Sequence, residues 1–141
     1  MELEKKVAII TGGGTGIGKA TALLFAKEGA SVVIAGRREE QLQQTVREIA
    51  RNGGTAEYVV TDITDSKQVQ ALFDKTMTLF GRIDILFNNA GAFITGKKAH
   101  EYDEEEWERI WRVNFWGTLL CSKYVVPYLE KGGGGVILNC S

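Results

Sequence analysis

The chain has one proline, one histidine and two cysteines in 141 residues. A lone His100 cannot build a metal-ligand cluster, and Cys121 and Cys140 lack metal-type spacing, so no metal is expected. Two cysteines, one on a helix pattern and one on a strand pattern, give no disulfide framework. Free thiols in a reducing cytoplasm are the simpler expectation. Neither charge dominates: 17 Lys and Arg against 18 Asp and Glu leave a net −1. With no basic cluster, neither nucleic acid nor an anionic membrane surface is an expected partner. No apolar stretch approaches the roughly 20 residues of a membrane span. The first residues, Met1 to Lys6, are charged and contain no signal-type apolar core.

Glycine is abundant, at 17 residues, and its placement is informative. An apolar run, Val7 to Thr11, leads into Gly12-Gly13-Gly14-Thr15-Gly16-Ile17-Gly18, and an amphipathic pattern follows from Lys19 to Gly29. A strand that ends in a segment almost free of side chains, with a helix directly after it, lets backbone approach a phosphate. It also aims a helix N-terminus at that phosphate. The usual dinucleotide spacing G-x-G-x-x-G is absent; the pattern is Thr11-Gly12-x-x-x-Gly16-x-Gly18. The physical needs are still met. One glycine turns the chain off the strand, one admits the pyrophosphate, and one lets the helix pack closely.

Strand and helix patterns alternate along the whole chain. After the first helix, with Ile17, Ala20, Thr21, Leu24, Phe25 and Glu28 at helical spacing, Val32–Ala35 reads as a second strand. A helix from Glu39 to Asn52 follows, with Leu42, Val46, Ile49 and Ala50 on one face, closed by Gly53-Gly54. Ala56–Val60 is a third strand, and Asp65 or Ser66 can cap a helix that runs to Phe80. Ile83–Phe87 and Val136–Cys140 are further strands. Between them a long helix begins near Asp103 and is expected to kink or stop around Pro127. Short apolar strands separated by helices predict one domain over residues 1–141, an α/β, doubly wound parallel sheet of Rossmann type.

Ligands of such sheets sit at the carboxyl ends of the strands, where Thr11, Gly36-Arg37-Arg38, Asp62 and Asn88-Asn89 collect. A cofactor with a free ribose 2′-hydroxyl calls for a carboxylate after the second strand. Here Arg37 and Arg38 stand instead, and a charge-assisted contact from Arg to a 2′-phosphate is worth roughly 1.5–3 kcal/mol. NADP(H) is therefore favoured over NAD(H), against the plainer reading of two solvated arginines at a helix start. Asp62 suits either an adenine amino group or a turn. Asn88-Asn89-Ala90-Gly91 supplies two amides able to brace neighbouring loops and a small pair that leaves room for a ribose. On the long helix, Trp107, Ile110, Trp111, Asn114, Thr118, Cys121 and Val125 form one stripe, in which Asn114 is the odd amide and should have a defined partner. That partner could be simply a neighbouring backbone. Val113, Trp116, Leu120 and Tyr124 form a second apolar face, expected to pack on another chain or a further segment.

Together, Thr11-Gly-x-x-x-Gly-Ile-Gly18, Asp62, Asn88-Asn89-Ala90-Gly91 and Val113-Asn114 resemble the short-chain dehydrogenase/reductase family over the whole 141 residues. The resemblance implies that Gly12, Thr15, Gly16, Ile17 and Gly18 border the pyrophosphate and Arg37 the 2′-phosphate. It implies that Asp62 and Ile63 contact adenine, and that Asn88, Ala90 and Gly91 border the ribose and support the central sheet. Asn114 corresponds to the family's catalytic-site asparagine, which positions a water in a proton relay. The second face of the 104–126 helix is similar to the family's dimer interface, which implies a homo-oligomer. Such enzymes also need Tyr-x-x-x-Lys. None of the four tyrosines, Tyr58, Tyr102, Tyr124 and Tyr128, has Lys four residues on. Asn139-Cys140-Ser141 ends one residue short of the family's active-site serine. The expectation is the N-terminal, cofactor-binding portion of an oxidoreductase acting on an alcohol or ketone, incomplete on its C-terminal side and inactive alone. The alternative is a non-catalytic nucleotide-binding or subunit-pairing protein.

Overall fold

The computed structural model describes residues 1–93 and 95–141. Five strands, β1 (Val7–Thr11), β2 (Ser31–Gly36), β3 (Thr55–Val60), β4 (Ile85–Asn88) and β5 (Val136–Asn139), form one parallel sheet in the order β3-β2-β1-β4-β5. The helices are α1 (Gly16–Lys27), α2 (Glu39–Arg51), α3 (Ser66–Phe80), α4 (Glu104–Trp111) and α5 (Gly117–Lys131). Strand order reverses between β1 and β4, and this is where an α/β sheet opens a crevice. β1 and β2 are almost wholly buried because helices cover both faces. One core layer gathers Phe73, Leu72, Leu120, Cys121 and Val125. The other gathers Ile10, Ala22, Ile34, Leu42 and Ile49.

Three expectations need correction. The inward face of α1 is Gly18, Ala22 and Ala26, while Ile17 and Leu24 are 61% and 55% exposed. Small residues let this helix lie close on the sheet, so its most apolar residues are displaced outward. The long helix is in fact two, joined by a π turn over Arg112–Trp116. Each π turn holds an extra residue, which shifts the phase of a stripe read at constant period. As a result Val113, Trp116, Leu120 and Tyr124 pack on the core. The outward face instead carries Trp107, Trp111, Phe115, Leu119 and Val126, which are 40–55% exposed. Finally, α5 runs through Pro127 to Lys131. Pro127 and Lys123, whose carbonyl loses its helical donor, both face solvent, where water can replace the missing bond.

Strand ends move by one or two residues. The largest shift is in β4, which begins at Ile85, although the Asp84 backbone already bonds to both neighbouring strands. Asp84 N–H donates to the Val7 carbonyl at 2.9 Å, and its carbonyl accepts from Val136 N–H at 2.9 Å.

Candidate nucleotide-binding cleft

Thr11 ends β1, and its Oγ1 accepts the backbone N–H groups of Asn89 and Ala90, each at 3.0 Å. In return the Asn89 amide Nδ2 donates to the Thr11 carbonyl at 3.2 Å and the Gly12 carbonyl at 3.3 Å. The loops after β1 and β4 are thereby stitched together across the point where strand order reverses. The expectation that an amide would brace neighbouring loops is met at Asn89. Asn88 turns inward and donates from Nδ2 to Ser122 Oγ at 3.1 Å and to Asn139 Oδ1 at 3.0 Å.

The stitch explains the glycines. Gly12 has φ +68°, and a Cβ on it would stand 2.9 Å from Asn89 Nδ2. A Cβ on Gly18 would drive into the Gly12 carbonyl oxygen, so α1 can approach only with glycine there. Gly16 differs. It has φ +54° and open space where a side chain would be. It opens α1, whose N-cap Thr15 makes no side-chain capping bond and whose first turn carries no acid. Among the described residues the initial N–H groups thus have no side-chain acceptor, and the helix dipole adds positive potential at an exposed glycine surface. These features fit the pyrophosphate of a dinucleotide.

Seven of the residues assigned from the sequence, Gly12, Thr15, Arg37, Asp62, Ile63, Ala90 and Gly91, line one cleft. Val113 and Leu42 supply apolar walls that sequence reasoning did not assign. Asp62 fills its turn role: Oδ1 accepts from Thr64 N at 2.9 Å and Thr64 Oγ1 at 2.7 Å, while the residue still borders the cleft. Its own N–H donates to Gln68 Oε1 at 2.8 Å. Asp65 caps α3 through Lys67 and Gln68 N–H, and the Gln68 N–H foremost holds its carboxyl below the usual carboxylate range.

Asn114 lies in the π turn, a helix irregularity often associated with function. It is exposed rather than buried. Its amide makes a closed pair with one residue, Oδ1 accepting from Ala92 N–H and Nδ2 donating to the Ala92 carbonyl, both at 2.7 Å. Cys121, one turn of α5 away from Gly117, is buried, and burial pushes its thiol up to about 12.

A family model described as short chain dehydrogenase matches residues 6–141. The chain belongs to the short-chain dehydrogenases. An uncharacterized oxidoreductase of Bacillus subtilis is 47% identical over 139 residues, which are 99% of this chain and 51% of that protein. Among solved structures, a hydroxysteroid dehydrogenase from Escherichia coli superposes with a TM-score of 0.92 at 40% identity, over 98% of this chain and 58% of that one. A metagenomic short-chain oxidoreductase in complex with NADP gives 0.92 at 33% identity, over 99% and 63%. The chain spans about half the length of the curated relatives it matches. It is an N-terminal portion of the short-chain dehydrogenase fold.

Within this dehydrogenase portion the assigned residues fall into three groups. Seven line the cleft. Gly16, Ile17 and Gly18 form the first turn of α1 beside it. Asn88 and Asn114 stand outside it, one bracing the sheet and α5, the other holding the loop after β4. Thr11, placed by the sequence at the carboxyl edge, has a further structural part there, as the acceptor that joins the loops after β1 and β4. Among the described residues no group of acidic, histidine and cysteine side chains could hold a metal ion. None of their helices is long and apolar enough to cross a membrane.

Proposed function

We propose that the complete protein transfers a hydride between NADP(H) and an alcohol or ketone carbon. The observation that carries this reading is the uncapped N-terminus of α1, faced by bare glycine backbone and flanked by Arg37 where β2 ends. Arg37 and Arg38 replace the carboxylate that would repel a 2′-phosphate. The complex of one relative with NADP, and the hydroxysteroid activity named for another, agree with this assignment.

When bound, the cofactor supplies the hydride; this chain binds and orients it. Gly12, Gly16 and the α1 N–H groups hold the pyrophosphate, Arg37 the 2′-phosphate, Asp62 and Ile63 the adenine, and Ala90 and Gly91 border the ribose. Asn114 fixes the Ala92 backbone beside the reaction centre and belongs with the catalytic group. The Tyr and Lys that move the substrate proton in this family are absent from residues 1–141, so turnover belongs to the longer protein. A second copy is inferred to pack on the exposed face of α4 and α5. The proposed compartment is a reducing cytoplasm, where Cys121 and Cys140 would stay thiols.

The test is cofactor titration of the full-length protein. Gly16→Val should abolish NADPH binding, and Arg37→Asp should move preference toward NADH. Retained binding by the first variant removes the phosphate-loop assignment. Unchanged preference in the second removes the 2′-phosphate assignment alone.

A further inference from the structure

The cofactor cleft continues past Asp62. A second hollow lies between the loop after β3 and α4, with Arg37, Asp62 and Thr64 on one wall and Glu105, Arg109 and Val113 on the other. Arg37, Asp62 and Val113 border both spaces, so the hollow extends the adenosine end of the site. Arg112 also faces it, but Glu108 holds that guanidinium at 3.1 Å. Arg37 and Arg109 take part in no salt bridge among the described residues.

Two roles suit an arginine outside any salt bridge here: contact with a second phosphate, or cover for the base. Charge decides between them. Asp62, Glu105 and Glu108 balance Arg37, Arg109 and Arg112 in the hollow. A dianion would gain little from Arg109 and would meet Glu105 beside it. A neutral aromatic ring pays no such repulsion, and a planar, weakly hydrated guanidinium stacks well on a π-face. Arg109 and Val113 both line this hollow. A base resting on Val113 therefore lies within Arg109's reach.

We infer that Arg109 caps the adenine of the cofactor and strengthens binding by the same factor with and without a 2′-phosphate. This rests on the dinucleotide site proposed above. The division of labour is then clear: Arg37 discriminates between cofactors, and Arg109 does not.

Calorimetric titration of the full-length protein with 5′-AMP and with 2′,5′-ADP tests this without turnover. Arg109→Ala should weaken both ligands equally, by about tenfold. Arg109→Lys should recover only part of the loss, because an ammonium group keeps the attraction of a cation for the ring face but has no plane to stack. Arg109 is exposed on α4, so the far-ultraviolet circular dichroism of both variants should match the wild type. Unchanged affinities in Arg109→Ala overturn the inference alone, as does a loss confined to 2′,5′-ADP. A wild-type protein that binds neither nucleotide overturns the dinucleotide site and this inference with it.

Discussion

Asn114 and Ala92 are joined by two hydrogen bonds of 2.7 Å, one in each direction. A side-chain amide that satisfies both backbone groups of one residue acts as a strand partner would. It fixes the loop after β4 where the loop leaves the sheet. The π turn is what presents Asn114 there, and a Cβ added at Gly91 would stand 3.3 Å from Asn114 Oδ1. The clamp thus ties the irregular helix to this loop, with little room beside it for a side chain at Gly91.

Loss of this clamp should damage turnover more than folding. Asn114→Leu leaves the Ala92 N–H and carbonyl without their partner, at a position solvent can reach. In the full-length enzyme we expect kcat to fall by about 10²-fold or more, the scale attached to misplaced reacting groups. The thermal midpoint should move by only a few degrees. Asn114→Asp, which keeps an acceptor for Ala92 N–H, should lose less. Wild-type kcat in the Leu variant would mean that the clamp has no part in catalysis.

Asp84 is the stability counterpart. It is 6% exposed and ties Val7 N–H at 2.9 Å, while Arg82 grips both carboxylate oxygens at 2.8 and 2.6 Å. Burial alone would raise its carboxyl, but the Arg82 guanidinium and the Val7 N–H outweigh burial and hold it below the usual range. A depressed folded value gives stability that is fully present above the unfolded pKa, about 3.9. That stability is lost as pH falls through the lower folded value. Asp84→Asn should therefore cost about 1–3 kcal/mol at pH 7 and flatten the acid limb of the stability curve. Denaturant midpoints at pH 7 and at pH 3 check both parts. Equal loss at both pH values would assign the effect to packing rather than charge.

The sheet was legible because each strand is a short apolar run punctuated by glycine or a polar end, as at Val7–Thr11 followed by Gly12. The cleft was legible for the same reason, since polar residues after such runs have only the carboxyl edge to occupy. Helix faces were less so. Gly18, Ala22 and Ala26 carry little hydrophobic signal yet make the closest approach. A periodic reading cannot register one extra residue at Arg112–Trp116. Asp62 remained divided between turn and ligand because its one carboxylate serves the turn while facing the cleft. Arg109 stands among Glu104, Glu105, Glu106 and Glu108 in the chain, with no spacing that points to a ligand, and only the fold brings it opposite Asp62.

The same phase shift moves the expected interface. Trp111, Phe115 and Leu119 advance in steps of four through the π turn and stay outward, at 50%, 55% and 44% exposure. The Trp111 ring stands 5.5 Å from Phe115 and stacks on Trp116 at 6.0 Å. A contiguous aromatic patch of this kind marks an association surface on soluble proteins, and an isologous dimer would pair it with its own copy. Phe115→Glu should place two like charges near that seam and lower the sedimentation mass of the full-length protein to that of one chain. Tyr124→Phe, on the inward face and bonded to Ser66 at 3.0 Å, should leave the mass unchanged. If Phe115→Glu keeps the wild-type mass, the second copy binds elsewhere and the outward stripe is not the contact.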